Sequence, residues 1–240
     1  MTCRLYIEDE IIPGSSIELP ADQGHYLRSV MRLGPGDPVI LFNGSGGEYL
    51  AAVASLARNN ATLSVASFVE ANREMKCRVH IVQAACRSEK IDSILQKSTE
   101  LGAASFHIVR SERTALKLDG QKLIKRIQRW QKIIIEAAEQ SERTVVPRIT
   151  WHDKLNSLPA HGQCYTLHPQ TETSWSEEKA NIIAADEITL AIGPEGGWSS
   201  RDIESLATAG FTNLTFGPRI MRTETAAPAL LAAIGSLIDS

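Results

Sequence analysis

The first seventy residues consist of short apolar or alternating runs separated by turn residues. These strand-like runs are Arg4–Glu8, Ser16–Leu19, Pro38–Phe42, Glu48–Leu56 and Ala61–Val69. Asn43-Gly44-Ser45-Gly46-Gly47 is typical of a hairpin loop, because glycine supplies the positive φ that such turns require. A short helix is predicted from Asp22 to Arg32, ended by Gly34-Pro35-Gly36. Five short strands and one small helix predict a small β-barrel.

From Arg78 onward, strands alternate with helices. The strand-like runs are Val79–Ala84, Phe106–Val109, Cys164–Leu167, Ile188–Ile192 and Leu214–Phe216. The helical patterns are Glu89–Leu101, Leu123–Gln140, Ser200–Ala209 and Thr225–Ile238. This alternation is typical of an α/β domain built around a mainly parallel sheet. We therefore predict two domains, residues 1–72 and 73–240.

Charge is distributed unevenly along the chain. The formal net charge is −3, but residues 71–150 hold 16 Lys and Arg against 9 Asp and Glu, and both flanking segments are acidic. The helical spacing that starts in the predicted helix Leu123–Gln140 places one polar stripe at Arg129, Lys132, Glu136, Gln140 and Arg143. A basic middle segment favours a polyanionic partner. A solvated helix face would show the same pattern, so both interpretations stay open.

A glycine-rich loop follows the strand-like run Ile188–Ile192. It reads Gly193-Pro194-Glu195-Gly196-Gly197-Trp198, and Ser199 with Asp202 then forms a capping-box pattern at the start of a helix. A strand, a tight loop and a helix N-terminus predict a ligand shelf at the carboxyl edge of a parallel sheet. The spacing matches neither the dinucleotide fingerprint nor the P-loop. A merely tight connection is the alternative.

A second loop, Phe216 to Thr225, also lies between a strand and a helix. Arg219, Arg222 and Glu224 stand there between two apolar elements, and half-buried charges require partners. Structural ion pairing would satisfy them as well as a ligand would. The following helix is apolar on nearly all sides, which predicts burial in a core or in a subunit interface.

Composition narrows the class of protein. With 43% hydrophobic and 22% charged residues the chain can form a sizeable core, which excludes wholesale disorder. No window resembles a membrane span, and the N-terminus turns acidic too early for a signal peptide. The four cysteines form no CxxC pair, so neither a zinc site nor a disulfide framework is indicated. We expect a soluble cytoplasmic protein without a metal or a membrane partner.

Four motifs in the same order resemble those of one family. They are His25-Tyr26-Leu27-Arg28-Ser29-Val30-Met31-Arg32, Gln96-Lys97-Ser98-Thr99-Glu100-Leu101-Gly102, Glu136-Ala137-Ala138-Glu139-Gln140-Ser141-Glu142-Arg143, and Gly193 to Gly197 followed by Arg219-Ile220-Met221-Arg222-Thr223-Glu224-Thr225-Ala226. The chain resembles, over essentially its whole length, the ribosomal RNA small subunit uridine-N3 methyltransferases (RsmE type) of the SPOUT superfamily. Glu142 stands where that family frequently has glycine.

The resemblance implies a fold and a cofactor. It implies a PUA-like RNA-binding β-barrel in residues 1–72 and a SPOUT methyltransferase domain in residues 73–240, with a parallel sheet and a deep trefoil knot. It implies a homodimer that binds S-adenosylmethionine (SAM) and acts on ribosomal RNA or on the assembled small ribosomal subunit. The residues it assigns to the cofactor are Leu167, His168, Gly193, Pro194, Glu195, Gly197, Leu214, Gly217, Arg219, Ile220, Met221 and Thr223.

Methylation of a uridine N3 requires removal of its proton, and the resulting anion spreads onto the flanking oxygens. We expect Arg222 to stabilise that charge and Glu224 to orient Arg222 or to act as the base. The residues expected to bind RNA are Arg28, Arg32, Lys97, Arg110, Arg113, Arg126, Arg129, Lys132 and Arg143. Alternatives are a 2′-O-ribose methyltransferase of the same superfamily and a non-catalytic RNA-binding ribosome-assembly factor. A nicotinamide dehydrogenase is disfavoured, because its fingerprint is missing.

Overall fold

The computed structural model describes residues 2–57, 60–114, 116, 118–169, 171 and 173–239 of the chain. Contacts divide the chain into two compact units. Unit 1 comprises Met1–Glu74 and Ala138–Val146, and unit 2 comprises Met75–Ala137 and Pro147–Ser240. In the described ranges, no helix combines the length and the apolar character that crossing a membrane requires.

Unit 1 contains a mixed sheet. Its strands in the described ranges are β1 (Cys3–Tyr6), β2 (Ser16–Leu19), β3 (Pro38–Phe42), β4 (Glu48–Leu56) and β5 (Ala61–Val69). Their order is β1-β3-β4-β5-β2; β1 pairs with β3 in parallel, and the other pairs are antiparallel. Alternate side chains such as Leu41, Leu63 and Val65 form one buried core. The predicted strands are confirmed, whereas closure into a PUA-like barrel stays a prediction.

The helix of unit 1 differs from its predicted form. Helix α1 (Ala21–His25) continues as a π-helical turn, Tyr26–Val30, so the helical segment ends two residues before Arg32. Arg32 instead has a φ of 57°, in the left-handed region. Gly24 lies against the sheet, since a Cβ there would come within 2.9 Å of the Ala61 Cβ. The absence of a side chain at Gly24 therefore permits this close packing.

A cluster of charges is buried in unit 1. The Arg4 guanidinium lies 2.7 Å from Glu48 Oε2, and the Arg73 guanidinium lies 3.0 Å from the same atom. Arg4 also donates to the carbonyl oxygens of Glu142 and Arg143, both at 3.3 Å. Burial by itself raises the pKa of Glu48, but hydrogen bonds from Arg73 and Arg4 outweigh it and hold that pKa below its ordinary value of 4.5.

The lowered pKa of Glu48 predicts a loss of stability in acid. The ionised Glu48 side chain contributes fully to the free energy of unfolding above the unfolded-state pKa of 4.5. This contribution disappears as the pH falls through the lower folded-state pKa of Glu48. Urea unfolding at several pH values, compared with the variant Glu48→Gln, measures this contribution. The difference in unfolding free energy between the two proteins should be constant above about pH 5.5 and shrink below about pH 4.5. A difference that does not change with pH would contradict this assignment.

Arg143 lies beyond the end of helix α3 (Gly120–Gln140) rather than on its exposed stripe. Glu142 has a φ of 60°, and the Arg143 N–H donates to the Ala138 carbonyl at 3.0 Å, so the chain turns back after the helix. Glu142 therefore occupies a left-handed position that favours glycine, which accounts for the glycine expected there. Arg143 is buried, with its guanidinium paired to the Glu74 carboxylate.

Unit 2 contains a parallel sheet, as predicted. Its strands in the described ranges are β6 (Arg78–Ala84), β7 (Ser105–Val109), β8 (Arg148–His152), β9 (Gln163–Leu167), β10 (Glu187–Ile192) and β11 (Thr212–Leu214). They are ordered β11-β9-β10-β6-β7-β8, and each neighbouring pair is parallel. The pattern did not predict β8, whose alternating residues are only partly buried at the edge of the sheet. The trefoil knot stays a prediction.

The other helices of unit 2 lie close to their predicted bounds, with one addition. They are α2 (Ser88–Glu100), α4 (Trp175–Ile183), α5 (Ser200–Thr208) and α6 (Thr223–Ile238). Helix α4 was not predicted, although its start carries a readable signal. The Ser174 hydroxyl accepts a hydrogen bond from the Glu177 N–H, and the Glu177 carboxylate accepts one from the Ser174 N–H. That arrangement is a capping box.

The sheet order places three loops side by side. Strands β11, β9 and β10 are neighbours, and they end at Leu214, Leu167 and Ile192. Because the strands are parallel, these carboxyl ends meet at one edge of the sheet. Strand β11 lies two residues earlier than predicted, at Thr212–Leu214 instead of Leu214–Phe216, so that Phe216 belongs to the loop rather than to the strand. The fold thus positions the candidate site.

Candidate active site

A cleft of about 1230 Å³ lies at the carboxyl edge of β9, β10 and β11. Its walls are the loops that follow these three strands, together with the start of α4. All twelve residues that the resemblance assigns to the cofactor line this cleft, and so does Arg222. Residues separated by more than fifty positions in the sequence are thereby brought together. Such a concave site at a parallel sheet edge is the usual place for a small-molecule ligand.

The loop after β10 is a tight turn built on glycine. The Gly197 N–H donates to the Pro194 carbonyl at 2.9 Å, and Gly197 has a φ of 68°, which side-chain-bearing residues rarely adopt. At Gly193 a Cβ would lie 3.3 Å from the Trp198 backbone nitrogen. The turn therefore favours glycine at position 197 because of its φ, and a Cβ at position 193 would require its neighbours to shift slightly.

The predicted cap of α5 is confirmed. The Asp202 N–H donates to Ser199 Oγ at 3.1 Å, and the Ser199 N–H donates to Asp202 Oδ2 at 3.0 Å. This reciprocal pair satisfies two backbone donors at the start of the helix. It fixes the point at which the glycine loop ends, so the loop has a defined length.

A buried hydrogen-bond chain joins two of the three loops. Thr223, the first residue of α6, donates its hydroxyl to the Gly193 carbonyl at 2.6 Å. The Gln83 amide on β6 donates to Thr223 Oγ1 at 2.9 Å. The sequence pattern assigned no role to Gln83, and its position inside an apolar run was the only signal available.

The charges in the second loop are arranged differently from the expectation. Arg219 and Arg222 are exposed, so they need no buried partners. Ile220 between them is 83% exposed. Glu224 is half-buried and lies 3.0 Å from Lys90 Nζ, which belongs to α2. Lys90 lines the cleft, although sequence analysis assigned it no role.

Glu224 is an anion at neutral pH. The hydrogen bond from its own backbone N–H lowers the pKa of Glu224 below its ordinary value, and Lys90 and Arg222 lower it further, while desolvation opposes them. Lys90 Nζ also lies 3.8 Å from Glu195 Oε1. A carboxylate with a lowered pKa is a weak proton acceptor, because general bases work best with a pKa near the operating pH. This favours an orienting role for Glu224.

Several basic side chains expected to bind RNA already have partners. Arg126 bonds to the Ser88 hydroxyl, and Arg129 pairs with Asp92. Arg110 donates to the Leu118 carbonyl at 2.9 Å, and its guanidinium lies over the Trp151 ring. Arg28 donates to the Ala57 carbonyl at 2.6 Å. These contacts orient the guanidinium groups. Arg129 is exposed, and Arg28, Arg110 and Arg126 are half-buried.

The remaining predicted RNA-binding residues are of two kinds. Lys97, Lys132 and Arg32 are exposed, and Arg113 is exposed at the cleft with its guanidinium donating to the Gly196 carbonyl at 2.7 Å. Arg143 is 3% exposed and paired with Glu74, so no phosphate can reach it in this conformation. In this conformation Arg143 does not contribute to an RNA-binding surface, which corrects the expectation from the sequence.

Aromatic residues also line the cleft without having been predicted. The rings of Trp175 and Phe216 pack edge-to-face with centroids 5.0 Å apart. Trp198 is buried beside the glycine turn. Within the described ranges, no group of three or more His, Cys, Asp or Glu side chains is arranged to hold a metal ion. The cleft is thus built from backbone, aromatic and charged groups.

Comparison with known proteins decides the family. Residues 73–235 match the RNA methyltransferase domain, and residues 19–66 match the RNA methyltransferase PUA domain. The chain belongs to the RNA methyltransferase family. Two relatives named ribosomal RNA small subunit methyltransferase E show how close the similarity is. The Bacillus subtilis protein is 30% identical over 96% of this chain and 95% of its own length. The Synechocystis protein is 33% identical over 100% of this chain and 79% of its own length.

Solved structures of the family share the fold. A protein of Legionella pneumophila, solved in complex with bound SAM, is 32% identical with a TM-score of 0.91 over 98% of both chains. Ribosomal RNA small subunit methyltransferase E from Neisseria gonorrhoeae, also solved with bound SAM, is 28% identical with a TM-score of 0.90 over 99% of this chain and 98% of its own. The resemblance inferred from the four motifs is confirmed.

Proposed function

We propose that this member of the RNA methyltransferase family transfers a methyl group from SAM to N3 of a uridine in small-subunit ribosomal RNA. The observation that carries the proposal is the cleft at the carboxyl edge of β9, β10 and β11, which is lined by all twelve residues expected to bind the cofactor. The two similar proteins from Legionella pneumophila and Neisseria gonorrhoeae were solved with bound SAM. When bound, SAM supplies an electrophilic methyl group on a sulfonium.

The residues present fit such a cofactor. At Gly197 and Gly217 an added Cβ would meet no atom within 4 Å, so the backbone there faces open space that a flat ligand can approach. The cleft volume of about 1230 Å³ exceeds the roughly 300–1,000 Å³ of ordinary ligand sites. It therefore leaves room for both the cofactor and part of a nucleotide. Leu167 to Pro169, Gly193 to Gly197 and Leu214 to Thr223 would hold SAM.

The uridine must reach this cleft unpaired. N3 lies on the Watson–Crick edge, so a base-paired uridine cannot accept the methyl group. Positioning supplies much of the acceleration of an in-line displacement, and no metal is required. Arg222, exposed at the cleft, stabilises the anion that forms when N3 loses its proton. Glu224 pairs with Lys90 at 3.0 Å, and we assign it the role of orienting Arg222, with the N3 proton leaving to water. In the alternative assignment Glu224 is the base and accepts that proton.

Salt should affect RNA binding far more than cofactor binding. The exposed cations of unit 2 that are expected to bind RNA are Lys97, Arg113, Arg129 and Lys132. Each contact between such a cation and a phosphate of single-stranded RNA makes the slope of log K against log salt more negative by about 0.7. We expect a slope of about −3 for RNA binding and a much shallower slope for SAM binding. In Lys132→Ala the slope for RNA binding should become less negative by about 0.7. Binding measured from 50 to 300 mM KCl checks this. Equal slopes for RNA and SAM would contradict this division of roles.

Two measurements test the proposed function itself. Isothermal titration calorimetry measures SAM binding, and nucleoside mass spectrometry of RNA methylated by the purified protein identifies the modified atom. Detection of 3-methyluridine supports the proposal, whereas a methylated ribose hydroxyl would support the 2′-O-ribose alternative. Binding of RNA without methyl incorporation would support a ribosome-assembly factor. Mapping the modification in ribosomal RNA from cells with and without the protein then identifies the uridine and shows whether the assembled subunit is required.

The wider architecture completes the proposal. We place the RNA-binding PUA-like barrel in residues 1–72 and the knotted catalytic domain in residues 73–240. We propose that the protein acts as a homodimer in the cytoplasm, where its ribosomal substrate resides. The apolar composition of α6 supports a subunit interface, because Leu237 and Ile238 are only partly buried in one chain. Light scattering of the purified protein measures its mass directly. A monomer at micromolar concentration would contradict the dimer.

A further inference from the structure

Gln83 is an amide buried inside the apolar sheet. It lies on β6 between Val82 and Ala84, pairs in register with Ile192 of β10, and is 0% exposed. Burying an amide costs free energy unless its polar atoms find partners. Its Oε1 atom is buried without a hydrogen-bond partner. An apolar side chain of similar size would avoid that cost, so the amide requires an explanation other than stability.

The surroundings determine which way the amide points. Its Nε2 lies 2.9 Å from the Ala84 carbonyl, 3.4 Å from the Gly193 carbonyl and 3.5 Å from the Ile192 carbonyl. Carbonyl oxygens only accept hydrogen bonds, so the NH₂ group and not Oε1 must face them. One of its two hydrogens serves Ala84, and the other is directed at Thr223 Oγ1, 2.9 Å away.

Thr223 connects Gln83 to the glycine loop through a second hydrogen bond. The Thr223 hydroxyl accepts a hydrogen bond from the Gln83 amide and donates one to the Gly193 carbonyl at 2.6 Å. The donors therefore point the same way along the chain, from Gln83 through Thr223 to Gly193. Gln83 is the donating end of this chain, the first residue of α6 is its middle member, and the first residue after β10 is its accepting end. Both Thr223 and Gly193 line the cleft, whereas Gln83 is buried behind them.

We propose that Gln83 is a positioning residue for the cofactor site. It holds Thr223 and Gly193 at a fixed separation and thereby sets the loops after β10 and before α6 in the geometry that binds SAM. This inference rests on the proposed function, namely that the cleft binds SAM. Gln83 acts through its two partners and does not touch the cofactor.

Three variants and a control test the proposal. Gln83→Met keeps the approximate volume without a donor, Thr223→Val removes the hydroxyl, and the double variant combines them. The control is Thr166→Val, because Thr166 is also 0% exposed, does not line the cleft, and donates to the Ala191 carbonyl at 3.2 Å within the same sheet. For each protein, calorimetry gives the SAM dissociation constant, steady-state kinetics give KM and kcat, and a thermal scan without ligand gives Tm.

Gln83→Met should raise the dissociation constant and the KM for SAM roughly tenfold, with a smaller change in kcat at saturating SAM and little change in Tm. The double variant should bind SAM about as weakly as Thr223→Val, because the two residues act as one chain. Thr166→Val should bind SAM normally. A folded Gln83→Met protein with wild-type affinity, or multiplicative effects in the double variant, would overturn the inference. Failure of the wild-type protein to bind SAM would instead refute the proposed function.

Gln83→Glu provides an independent readout if Gln83→Met does not fold. A carboxylate at this position faces carbonyl oxygens and cannot donate, whereas a protonated carboxyl can replace the lost donor. The affinity of Gln83→Glu for SAM, relative to wild type, should therefore recover as pH falls from 8 to 5.5. Thr166→Val, measured over the same range, should follow wild type. A pH-independent ratio for Gln83→Glu would overturn the inference.

Discussion

Replacing Arg222 with alanine should lower the rate of RNA methylation at saturating SAM by about 10²–10³-fold, the usual cost of removing one donor to a developing anion. The affinity for SAM should change little, because Arg222 is exposed at the cleft and its role is directed at the nucleotide. The substitution should leave α6 intact. Arg222 is the N-cap residue, its side chain makes no capping bond, and the Thr225 N–H bonds to its backbone carbonyl, which alanine retains.

Single-turnover methylation with excess enzyme, together with calorimetry of SAM binding, measures both quantities for Arg222→Ala. Arg222→Lys keeps the charge but loses the planar fork of donors, so it should recover only part of the rate. The matched control is Arg201→Ala, because Arg201 is an exposed arginine on α5 and its loss changes the net charge equally. A full methylation rate in Arg222→Ala with unchanged SAM affinity would remove Arg222 from the mechanism.

Replacing Glu48 with alanine should destabilise unit 1 by about 3–5 kcal/mol, the typical cost of removing one partner of a buried ion pair. The side chains of Arg4 and Glu48 are only 4% and 9% exposed, and their charged atoms lie 2.7 Å apart. Without Glu48, the Arg4 guanidinium would stay buried with only two carbonyl contacts at 3.3 Å. The loss would therefore come from an uncompensated charge rather than from the missing attraction alone.

The effect of Glu48→Ala on stability must be measured with a probe that lies in unit 1. The four tryptophans, at positions 130, 151, 175 and 198, belong to unit 2, so their fluorescence does not follow the sheet that contains Glu48. Amide hydrogen exchange of β4, analysed by mass spectrometry, gives the opening free energy where the change occurs. Glu142→Ala is the control, because the Glu142 carboxylate is half-exposed and lies 3.9 Å from Arg73, so its loss should cost less than about 1 kcal/mol. A similarly small effect for Glu48→Ala would contradict a buried ion pair.

Much of the fold follows from local patterns that the structure bears out. The parallel sheet of unit 2 was predicted because strand-like runs alternate with helical patterns from Arg78 onward. The start of α5 was predicted because Ser199 and Asp202 bond to each other's backbone three residues apart. The cap depends on contacts within three residues, and the class of the sheet depends on the order of elements along the chain. Local sequence is sufficient wherever the interacting groups are neighbours along the chain.

Other features were missed because their cause lies far away in the sequence. Arg143 continued the polar stripe of α3 by spacing, but the chain turns at Glu142 and buries Arg143 against Glu74. Strand β8 is an edge strand with only a short alternating pattern, and it forms by pairing with β7. Gln83 looked like a polar interruption of an apolar strand, and only its contact with Thr223, 140 residues later, gives it a role.

The sequence by itself determined the family and, through that resemblance, twelve of the residues that line the cleft. It also determined the two glycine-bearing loops, because turn chemistry depends on short segments. Only the tertiary structure decided that Lys90 neutralises Glu224 across two helices and that Gln83 bonds to the start of α6. It also decided that Arg219 and Arg222 are exposed. The physical reason is that burial and pairing depend on which distant segments share a sheet edge, and this depends on strand order rather than on any local pattern.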